Sequence, residues 1–253
     1  MNEISVIIIT RNEQAKIKEC LESVKWADEI IVVDDMSTDG TRDICREHKN
    51  LKLYERKLDG FGSQKNFALS EASNKWILSV DADEVVTPEL KEEILTVIEK
   101  ETFDGYRLKL NNYIFGKWIQ DYKSLNLRLF RRGKGKFTSK KVHETVIVDG
   151  KIGELDNILL HRSWSGESVS NYMKDHVNFY SSYTADDLYE MGRRVTIVNS
   201  VFYFVLKPIL IFFQKYFLKE GFMGGWQGFL LSVFSAVTYF KSYAKLLRKQ
   251  KNT

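Results

Sequence analysis

Residues 76–83 read Trp-Ile-Leu-Ser-Val-Asp-Ala-Asp, an apolar run that ends in two carboxylates one residue apart. Such a run predicts a buried β-strand, with both acids lying where the strand ends. Hard cations such as Mg²⁺ and Mn²⁺ prefer carboxylate oxygens and commonly share their coordination with a substrate's phosphates. Acidic residues at strand ends also act as turn residues or helix caps. The stretch therefore predicts a strand and leaves a cation site as one of two interpretations.

Two earlier stretches have the same format. Residues 4–9 form an apolar run that ends in Thr-Arg-Asn-Glu, and residues 29–33 form a β-branched run that ends in Asp34 and Asp35. Helical patterns separate the runs. Alternating strands and helices predict a parallel sheet whose strand ends share one edge, where ligands bind in open α/β folds. We therefore expect a Rossmann-like α/β fold with a mixed, mostly parallel sheet flanked by helices.

Composition limits the compartment and the partners. The chain has 253 residues, of which 43% are hydrophobic. Its two cysteines, Cys20 and Cys45, do not indicate a disulfide framework. The first residues lack the basic segment of a signal peptide. We expect a protein of the cytosol or of the cytoplasmic face of the inner membrane, with no nucleic-acid partner.

The last 58 residues differ from the rest. Residues 196–253 hold 8 Lys or Arg against one acid, Glu220, and are rich in Phe, Tyr and Trp, which suits the surface of an anionic bilayer. Phe222 to Phe240 is uncharged and long enough to span a membrane. The stretch from Val201 to Phe213 is shorter, and Lys207-Pro208 interrupts it. We favour peripheral or monotopic helices in the membrane interface over a hairpin of two spans or a helical cap on the soluble domain.

The middle of the chain predicts more strands and then helix. Partial alternation indicates strands at 105–110, 126–131, 142–148 and 158–161, and residues 168–192 have helical spacing. We expect a nucleotide-sugar-binding and catalytic domain at 1–165. C-terminal helices should follow at 166–253, with membrane association from about residue 196.

Several motifs together resemble one family. They are Val-Ile-Ile-Ile-Thr-Arg-Asn-Glu at 6–13, Ile-Val-Val-Asp-Asp-Met-Ser-Thr-Asp-Gly-Thr at 31–41, Gln-Lys-Asn at 64–66 and Asp-Ala-Asp-Glu at 81–84. This set resembles glycosyltransferase family 2, the inverting enzymes of GT-A fold. Arg-Leu-Phe-Arg-Arg at 128–132, Val-His-Glu at 142–144, Leu-His at 160–161 and Gly-Phe-Met-Gly-Gly at 221–225 resemble its lipopolysaccharide-core β-glucosyltransferase subgroup. That subgroup usually has Leu-Asp-Gly near residue 224, which leaves the acceptor class open.

The resemblance implies a function and a site. It implies transfer of a hexose, with glucose from UDP-glucose as the expected donor, to a lipid-linked or lipopolysaccharide-core acceptor, with Mg²⁺ or Mn²⁺ as cofactor. The nucleotide-sugar-binding residues implied are Thr10, Glu13, Asp34, Asp35, Lys65 and Asp81. The metal ligands implied are Asp83, with Asp81 contacting ribose or metal, and His161. A solvated Lys65 and a structural His161 remain alternatives.

His143 and Glu144 are the candidates for the catalytic base. Neighbours on a strand point to opposite faces, so only one of them should face the site. We select Glu144, because a carboxylate can accept the proton of a sugar hydroxyl and the family base is normally acidic. A surface Glu on a strand is the alternative.

Other functions fit parts of the sequence. Residues 77–85 also fit the first motif of haloacid-dehalogenase phosphatases, with Asp81 as nucleophile and Asp83 as acid, but no later acidic pair follows at a strand end. A sugar-nucleotide pyrophosphorylase would need a glycine-rich loop after the first strand, whereas Thr-Arg-Asn-Glu at 10–13 contains no glycine. A membrane adaptor would leave the acidic strand ends unexplained.

Overall fold

The computed structural model describes residues 3–138, 144–164 and 169–251. The chain forms two compact units. The first comprises Met1–Tyr113 and Gln120–Ser163, and the second comprises Ile114–Ile119 and Trp164–Thr253. The second unit thus includes one short segment from the middle of the chain, Ile114–Ile119.

The first unit is built on one eight-stranded sheet with the order β3-β2-β1-β4-β7-β6-β10-β5. Its strands are β1 Ile4–Thr10, β2 Glu29–Asp34, β3 Leu51–Glu55, β4 Trp76–Ser79, β5 Glu84–Val86, β6 Gly105–Ile114, β7 Lys117–Arg131 and β10 Ile152–Trp164; β8 Gly135–Phe137 and β9 Val146–Val148 form a separate two-stranded sheet. Its helices are α1 Ile17–Val24, α2 Thr41–Arg46, α3 Phe61–Glu71 and α4 Pro88–Lys100.

The parallel half of the sheet confirms the expected fold class. β1 pairs in parallel with β2 and with β4, so that Thr10 lies opposite Asp34 and Ile7 lies opposite Ser79. β7 and β5 add antiparallel pairs. Every residue of β2 and β4 is buried, as strands covered on both faces require. The polar residues that follow β1, β2 and β4 therefore reach the same edge of the sheet.

Two strand expectations need correction. Among the described residues of the segment predicted as a strand, 144–148, only Val146–Val148 form one. Glu144 therefore precedes β9, and the argument from alternating strand faces does not apply to it. His143 and Val142 lie outside the described residues. β9 also pairs with β8 and does not extend the main sheet. Strand β3 was not expected, because Leu51–Glu55 is short and half polar.

The second unit is helical. It contains α5 Val169–Asn171, a π-helical turn Tyr172–Val177, α6 Asn178–Glu190, α7 Ile197–Val201, a π-helical turn Phe202–Leu206, α8 Lys207–Phe213, a π-helical turn Gln214–Leu218, a 3₁₀ turn Gly221–Gly224 and α9 Trp226–Lys251. Phe115, Tyr172 and Phe234 meet in one of its apolar clusters.

The expected interruption at Pro208 does not occur. Helical structure runs continuously from Ile197 to Leu218. The amide of Lys207 donates to the carbonyl of Phe202, five residues back, so a wide π turn ends directly before the proline. The wider turn accommodates a ring that would clash in a regular α-helix. This helix of 22 residues is the one that, among the described residues, is long and apolar enough to cross a membrane.

The uncharged stretch from Phe222 to Phe240 is not one helix. Gly225 adopts a positive φ of 68° after the 3₁₀ turn, and α9 begins only at Trp226. Gln227, Ser232 and Phe234 on α9 are buried. The part of the stretch 222–240 that belongs to α9 therefore begins at Trp226, so it is shorter than predicted, and several of its residues are buried.

Several basic residues of α9 form hydrogen bonds or ion pairs inside the second unit. Lys241 donates to Asn178 Oδ1 at 2.8 Å, Lys245 donates to Ser181 Oγ at 2.8 Å, and Lys249 pairs with Asp186 at 2.6 Å. These lysines recur every fourth residue and so form one stripe along the helix. The stripe joins α9 to α6, a role that their positive charge in the sequence did not reveal.

Candidate active site

The ends of β1 and β2 form the first part of the site. Asp35 accepts hydrogen bonds from Arg11 Nη1 and from the Leu58 amide, both at 2.8 Å. Asp34 is fully buried, and its Oδ2 accepts from the Ser37 amide. Asp34 Oδ1 and the hydroxyl of its register partner Thr10 are buried with no hydrogen-bond partner among the described atoms. Unpaired buried oxygens are uncommon and mark a place where a water or ligand can bind.

Glu13 follows β1, and its charge interacts with that of Asp83. Burial raises the pKa of Glu13, Lys16 at 3.3 Å opposes the rise, and the negative charge of Asp83 adds to it. Lys16 in turn contributes to lowering the pKa of Asp83. Electrostatic coupling of this kind requires proximity. The structure thus brings Glu13 and Asp83 to the same region, as the shared sheet edge predicts.

The two residues of α3 that flank Lys65 each form hydrogen bonds with the backbone of a different segment. Gln64 Nε2 donates to the Arg56 carbonyl at 2.7 Å. Asn66 forms two hydrogen bonds with the backbone of Phe137 on β8. Lys65, between them, is 6% exposed in its side chain. The Gln-Lys-Asn motif therefore fixes the position of β8 and, with it, one wall of the site.

Lys65 and Arg128 make a chain of alternating charges. Lys65 Nζ lies 2.8 Å from Asp81 Oδ1 and 2.7 Å from Glu144 Oε1. Arg128 Nη2 lies 3.0 Å from Asp81 Oδ2 and 2.7 Å from Glu84 Oε1. Both oxygens of Asp81 therefore contact a cation. Glu144, Lys65, Asp81, Arg128 and Glu84 form one continuous network.

The network shifts the pKa values of its members. Burial would raise the pKa of Asp81, but the charges of Arg128 and Lys65 lower it. Burial would lower the pKa of Lys65, but Asp81 and Glu144 raise it. Burial raises the pKa of Glu84, and Arg128 only partly offsets this. Asp81 is thus firmly ionised, and Lys65 and Arg128 balance its charge.

Asp83 and His161 form a second pair. His161 Nε2 lies 3.3 Å from Asp83 Oδ2, and its Nδ1 lies 2.7 Å from Asn112 Oδ1. Burial would lower the pKa of His161, but Asp83 raises it to about 9. The hydrogen bond with His161 also lowers the pKa of Asp83 against the effect of burial. His161 lies opposite Glu84 in the β10–β5 pair, which brings it to Asp83.

A cavity of about 450 Å³ opens beside Lys65, Asp81 and Glu144. Its volume is within the range of small-molecule sites, roughly 300–1,000 Å³. Apolar residues of β7, β8 and β9 form much of its wall, and Arg107, Asn126 and Thr145 add polar groups. It can hold a ligand of sugar size next to the Glu144 carboxylate.

Sequence reasoning assigned no role to Arg128, Glu84 or Asn112. Arg128 lies between Leu127 and Leu129, where a cation in an apolar strand indicates a buried ion pair. Glu84 follows the Asp-Ala-Asp stretch and is 0% exposed. No local pattern marked Asn112, because its contact with His161 forms between distant parts of the chain.

The sequence profile described as Glycosyl transferase family 2 matches residues 5–149, more than half of the chain. The chain belongs to glycosyltransferase family 2. It is 30% identical to the lipopolysaccharide core biosynthesis glycosyltransferase LpsC of Rhizobium meliloti over 97% of this chain and 92% of LpsC. It is also 34% identical to an uncharacterized glycosyltransferase of Rickettsia typhi, over 97% of this chain and 87% of that protein.

Solved structures share the fold of this family 2 glycosyltransferase. S. aureus TarS 1-349 in complex with UDP-GlcNAc has a TM-score of 0.55 at 18% identity, covering 96% of this chain and 92% of TarS 1-349. Mannosyltransferase PcManGT from Pyrobaculum calidifontis, in complex with GDP-Man and Mn²⁺, has a TM-score of 0.56 at 15% identity, covering 96% of this chain and 86% of PcManGT. The fold is therefore GT-A-like. The family match sets aside the phosphatase, pyrophosphorylase and adaptor alternatives.

Proposed function

We propose that this glycosyltransferase transfers a hexose, with inversion, from a UDP-sugar to a lipid-linked or lipopolysaccharide-core acceptor, with glucose as the sugar we expect. The likeness to LpsC supports the acceptor class, and it extends over nearly the full length of both proteins. The UDP-GlcNAc complex of TarS supports the nucleotide. One observation carries the proposal: Lys65 joins Asp81, at the nucleotide-binding edge, to Glu144, at the cavity.

Each strand end has a part in donor binding under this proposal. Thr10, Glu13, Asp34 and Asp35 would bind the nucleoside, where the unpaired oxygens of Thr10 and Asp34 lie. Lys65 would contact the diphosphate, since it is a cation at the same edge of the sheet. Asp81 would contact the ribose and hold Lys65 and Arg128 in place.

Asp83 and His161 are the residues that fit a divalent cation. Their Oδ2 and Nε2 atoms face each other, and a bound cation would replace the proton that His161 shares with Asp83. Asn112 holds the second imidazole nitrogen, as outer partners of metal-bound histidines do. Asp81 fits less well as a ligand, because both its oxygens contact cations. No cluster of three or more acidic, His or Cys ligands occurs in the described ranges, so the diphosphate would supply further ligands. A bound Mg²⁺ or Mn²⁺ would neutralise charge on the leaving diphosphate.

Glu144 would act as the base. Its carboxylate takes the proton of the acceptor hydroxyl, the acceptor oxygen bonds to the anomeric carbon, and the bond from that carbon to the diphosphate breaks. A single displacement of this kind inverts the configuration. The ion pair with Lys65 holds the Glu144 side chain in place at the cavity.

Membrane association would bring the enzyme to amphiphilic acceptors. Almost none of the helix from Ile197 to Leu218 is buried, and apolar residues such as Val201, Leu206 and Leu210 lie at its surface. An anionic membrane surface on the cytoplasmic side would hold this helix, together with Phe222 and Trp226. We retain the assignment of catalytic residues to 1–165 and of membrane binding to the chain from about 196.

A thermal-shift screen of the full-length protein tests the donor assignment. UDP-glucose, UDP-galactose, UDP-GlcNAc and GDP-mannose would each be added with and without Mn²⁺. A ligand at 100 times its Kd stabilises the folded state by about 2.7 kcal/mol. We expect UDP-sugars to raise the Tm, and more so with Mn²⁺. The absence of any shift with all four donors and either Mg²⁺ or Mn²⁺ would reject the proposal.

A further inference from the structure

One of the cations that line the cavity beside Glu144 is not paired with a carboxylate of the described residues. Three cations line it, Lys65, Arg107 and Arg128, against two carboxylates, Asp81 and Glu144. Lys65 and Arg128 are each shared between two carboxylates. Arg107 has no ion pair with any side chain that the structure describes. A guanidinium at a cavity, unmatched by a carboxylate, suits an anionic ligand.

The place of the cavity in the sheet indicates which substrate it holds. The nucleoside-binding candidates Thr10 and Asp34 end β1 and β2, on one side of β4. The cavity meets the donor-binding edge at Lys65 and Asp81, but much of its wall comes from β7 and β6, on the other side of β4, and Arg107 lies on β6. Glu144 is exposed to this cavity and needs the acceptor hydroxyl within hydrogen-bond reach. The cavity is therefore on the acceptor's side of the base.

From these observations we propose that the cavity is the acceptor subsite and that Arg107 binds an anionic substituent, phosphate or carboxylate, on the acceptor sugar. The identification of the ligand as the acceptor rests on the proposed function, whereas anion binding by Arg107 does not depend on it. Arg107 would contribute to specificity, because a guanidinium can donate two parallel hydrogen bonds to either anion. Neutral acceptors would lack this contact.

Three sugars that differ in one substituent test the proposal. Glucose 6-phosphate, glucuronate and glucose would be titrated into the full-length protein by ligand-detected NMR, with and without saturating UDP and Mg²⁺. We expect at least one anionic sugar to bind about tenfold or more tightly than glucose, because hydrogen bonds to a charged group are stronger than those between neutral groups. The stronger of the two anions identifies the substituent. UDP should not displace it.

Variants at two arginines complete the test. Arg107→Gln should abolish the preference for the anionic sugar, Arg107→Lys should retain part of it, and both should bind UDP as the wild type does. Arg132→Gln, at an exposed arginine, serves as the matched control and should change nothing. Equal anion binding in wild type and Arg107→Gln would overturn the proposal. So would displacement of the anion by UDP, or a loss of UDP binding in folded Arg107→Gln.

The two proposals can fail separately. A protein that binds no nucleotide-sugar would reject the proposed function, yet anion binding at Arg107 would still be measured in the titrations without UDP. A protein that binds UDP-sugars but shows no preference for anionic sugars would reject the subsite alone.

Discussion

Glu144 Oε1 lies 2.7 Å from Lys65 Nζ, and the same ammonium lies 2.8 Å from Asp81 Oδ1. One buried cation therefore joins the proposed base to the acid that follows β4. The side chain of Glu144 is 14% exposed, so it can reach a substrate without being freely mobile. This arrangement defines the first prediction.

Replacement of the Glu144 carboxylate should stop transfer and spare donor binding. We expect Glu144→Gln to lower the rate of transfer by at least about 10²-fold, the lower end of general-base contributions, because an amide cannot accept the proton. Nucleotide-sugar affinity, measured by calorimetry, should stay within about threefold of wild type. Glu154→Gln, at an exposed glutamate of β10, is the control. Near wild-type turnover in Glu144→Gln would remove this residue from the role.

Loss of Arg128 should destabilise the fold through Glu84. Glu84 is completely buried and lies 2.7 Å from Arg128, so Arg128→Leu leaves a buried carboxylate without its partner. We expect the free energy of unfolding, measured with urea, to fall by about 3–5 kcal/mol. Adding Glu84→Gln should restore part of the loss, since it removes the unpaired charge. A double variant whose loss equals the sum of the single losses would contradict this explanation.

The acidic strand ends could be predicted from the sequence because they depend on local patterns. Apolar runs followed by polar residues predicted β1, β2 and β4. Because these strands pair in parallel, Thr10, Asp34 and Asp83 lie at one edge of the sheet. The partners of these residues could not be predicted in the same way. Arg128 and Asn112 reach Asp81 and His161 from β7 and β6, and no periodicity encodes which strands become neighbours.

The helical unit shows the same limit. Its composition indicated aromatic and basic helices, but composition does not tell which lysines face another helix. The contact of Lys245 with α6 and the wide turn before Pro208 both depend on tertiary packing and backbone detail. Likewise, Glu144 was expected on a strand because its neighbours are β-branched, whereas the strand begins only at Val146.

Metal affinity should depend on Asp83 and His161 together. We expect His161→Ala and Asp83→Asn each to weaken Mn²⁺ binding in the presence of UDP by about tenfold or more, and Asn112→Ala to have a smaller effect through the imidazole orientation. Electron paramagnetic resonance of free Mn²⁺ gives these affinities directly. His48→Ala, at a histidine that follows α2, is the control. An unchanged affinity in His161→Ala would remove this histidine from the proposed ligands.

Glu29 should make stability depend on acid pH. It accepts hydrogen bonds from Ser5, Lys52 and Ser73, which outweigh burial and lower its pKa from 4.5 to about 2. A lowered pKa stabilises the fold above pH 4.5, and this contribution is lost as the pH falls toward 2. Lys52 is half exposed, so we expect about 1–2 kcal/mol after solvent screening.

The pH dependence can be measured by urea unfolding at pH 6 and pH 3. Glu29→Gln should lose about 1–2 kcal/mol less between these values than wild type does, because the amide does not titrate. Glu99→Gln, at an exposed glutamate of α4, should behave as wild type does. The same pH dependence in Glu29→Gln and wild type would show that Glu29 is not the group responsible.

The exposed apolar surface between Ile197 and Leu218 should bind vesicles. Leu206, Leu210 and Phe213 are each about half exposed, on a helix that packs against α9 through other residues such as Phe212. Changing all three to Gln should reduce flotation with phosphatidylglycerol vesicles at least about tenfold, since each such side chain contributes roughly 1.5–3 kcal/mol when fully buried. Point changes are preferable to truncation, because Tyr203 and Phe204 pack against Tyr243 and Phe240 of α9. Met191→Gln, at an exposed methionine outside the helix, is the control. Undiminished flotation of the triple variant would assign membrane binding to another surface.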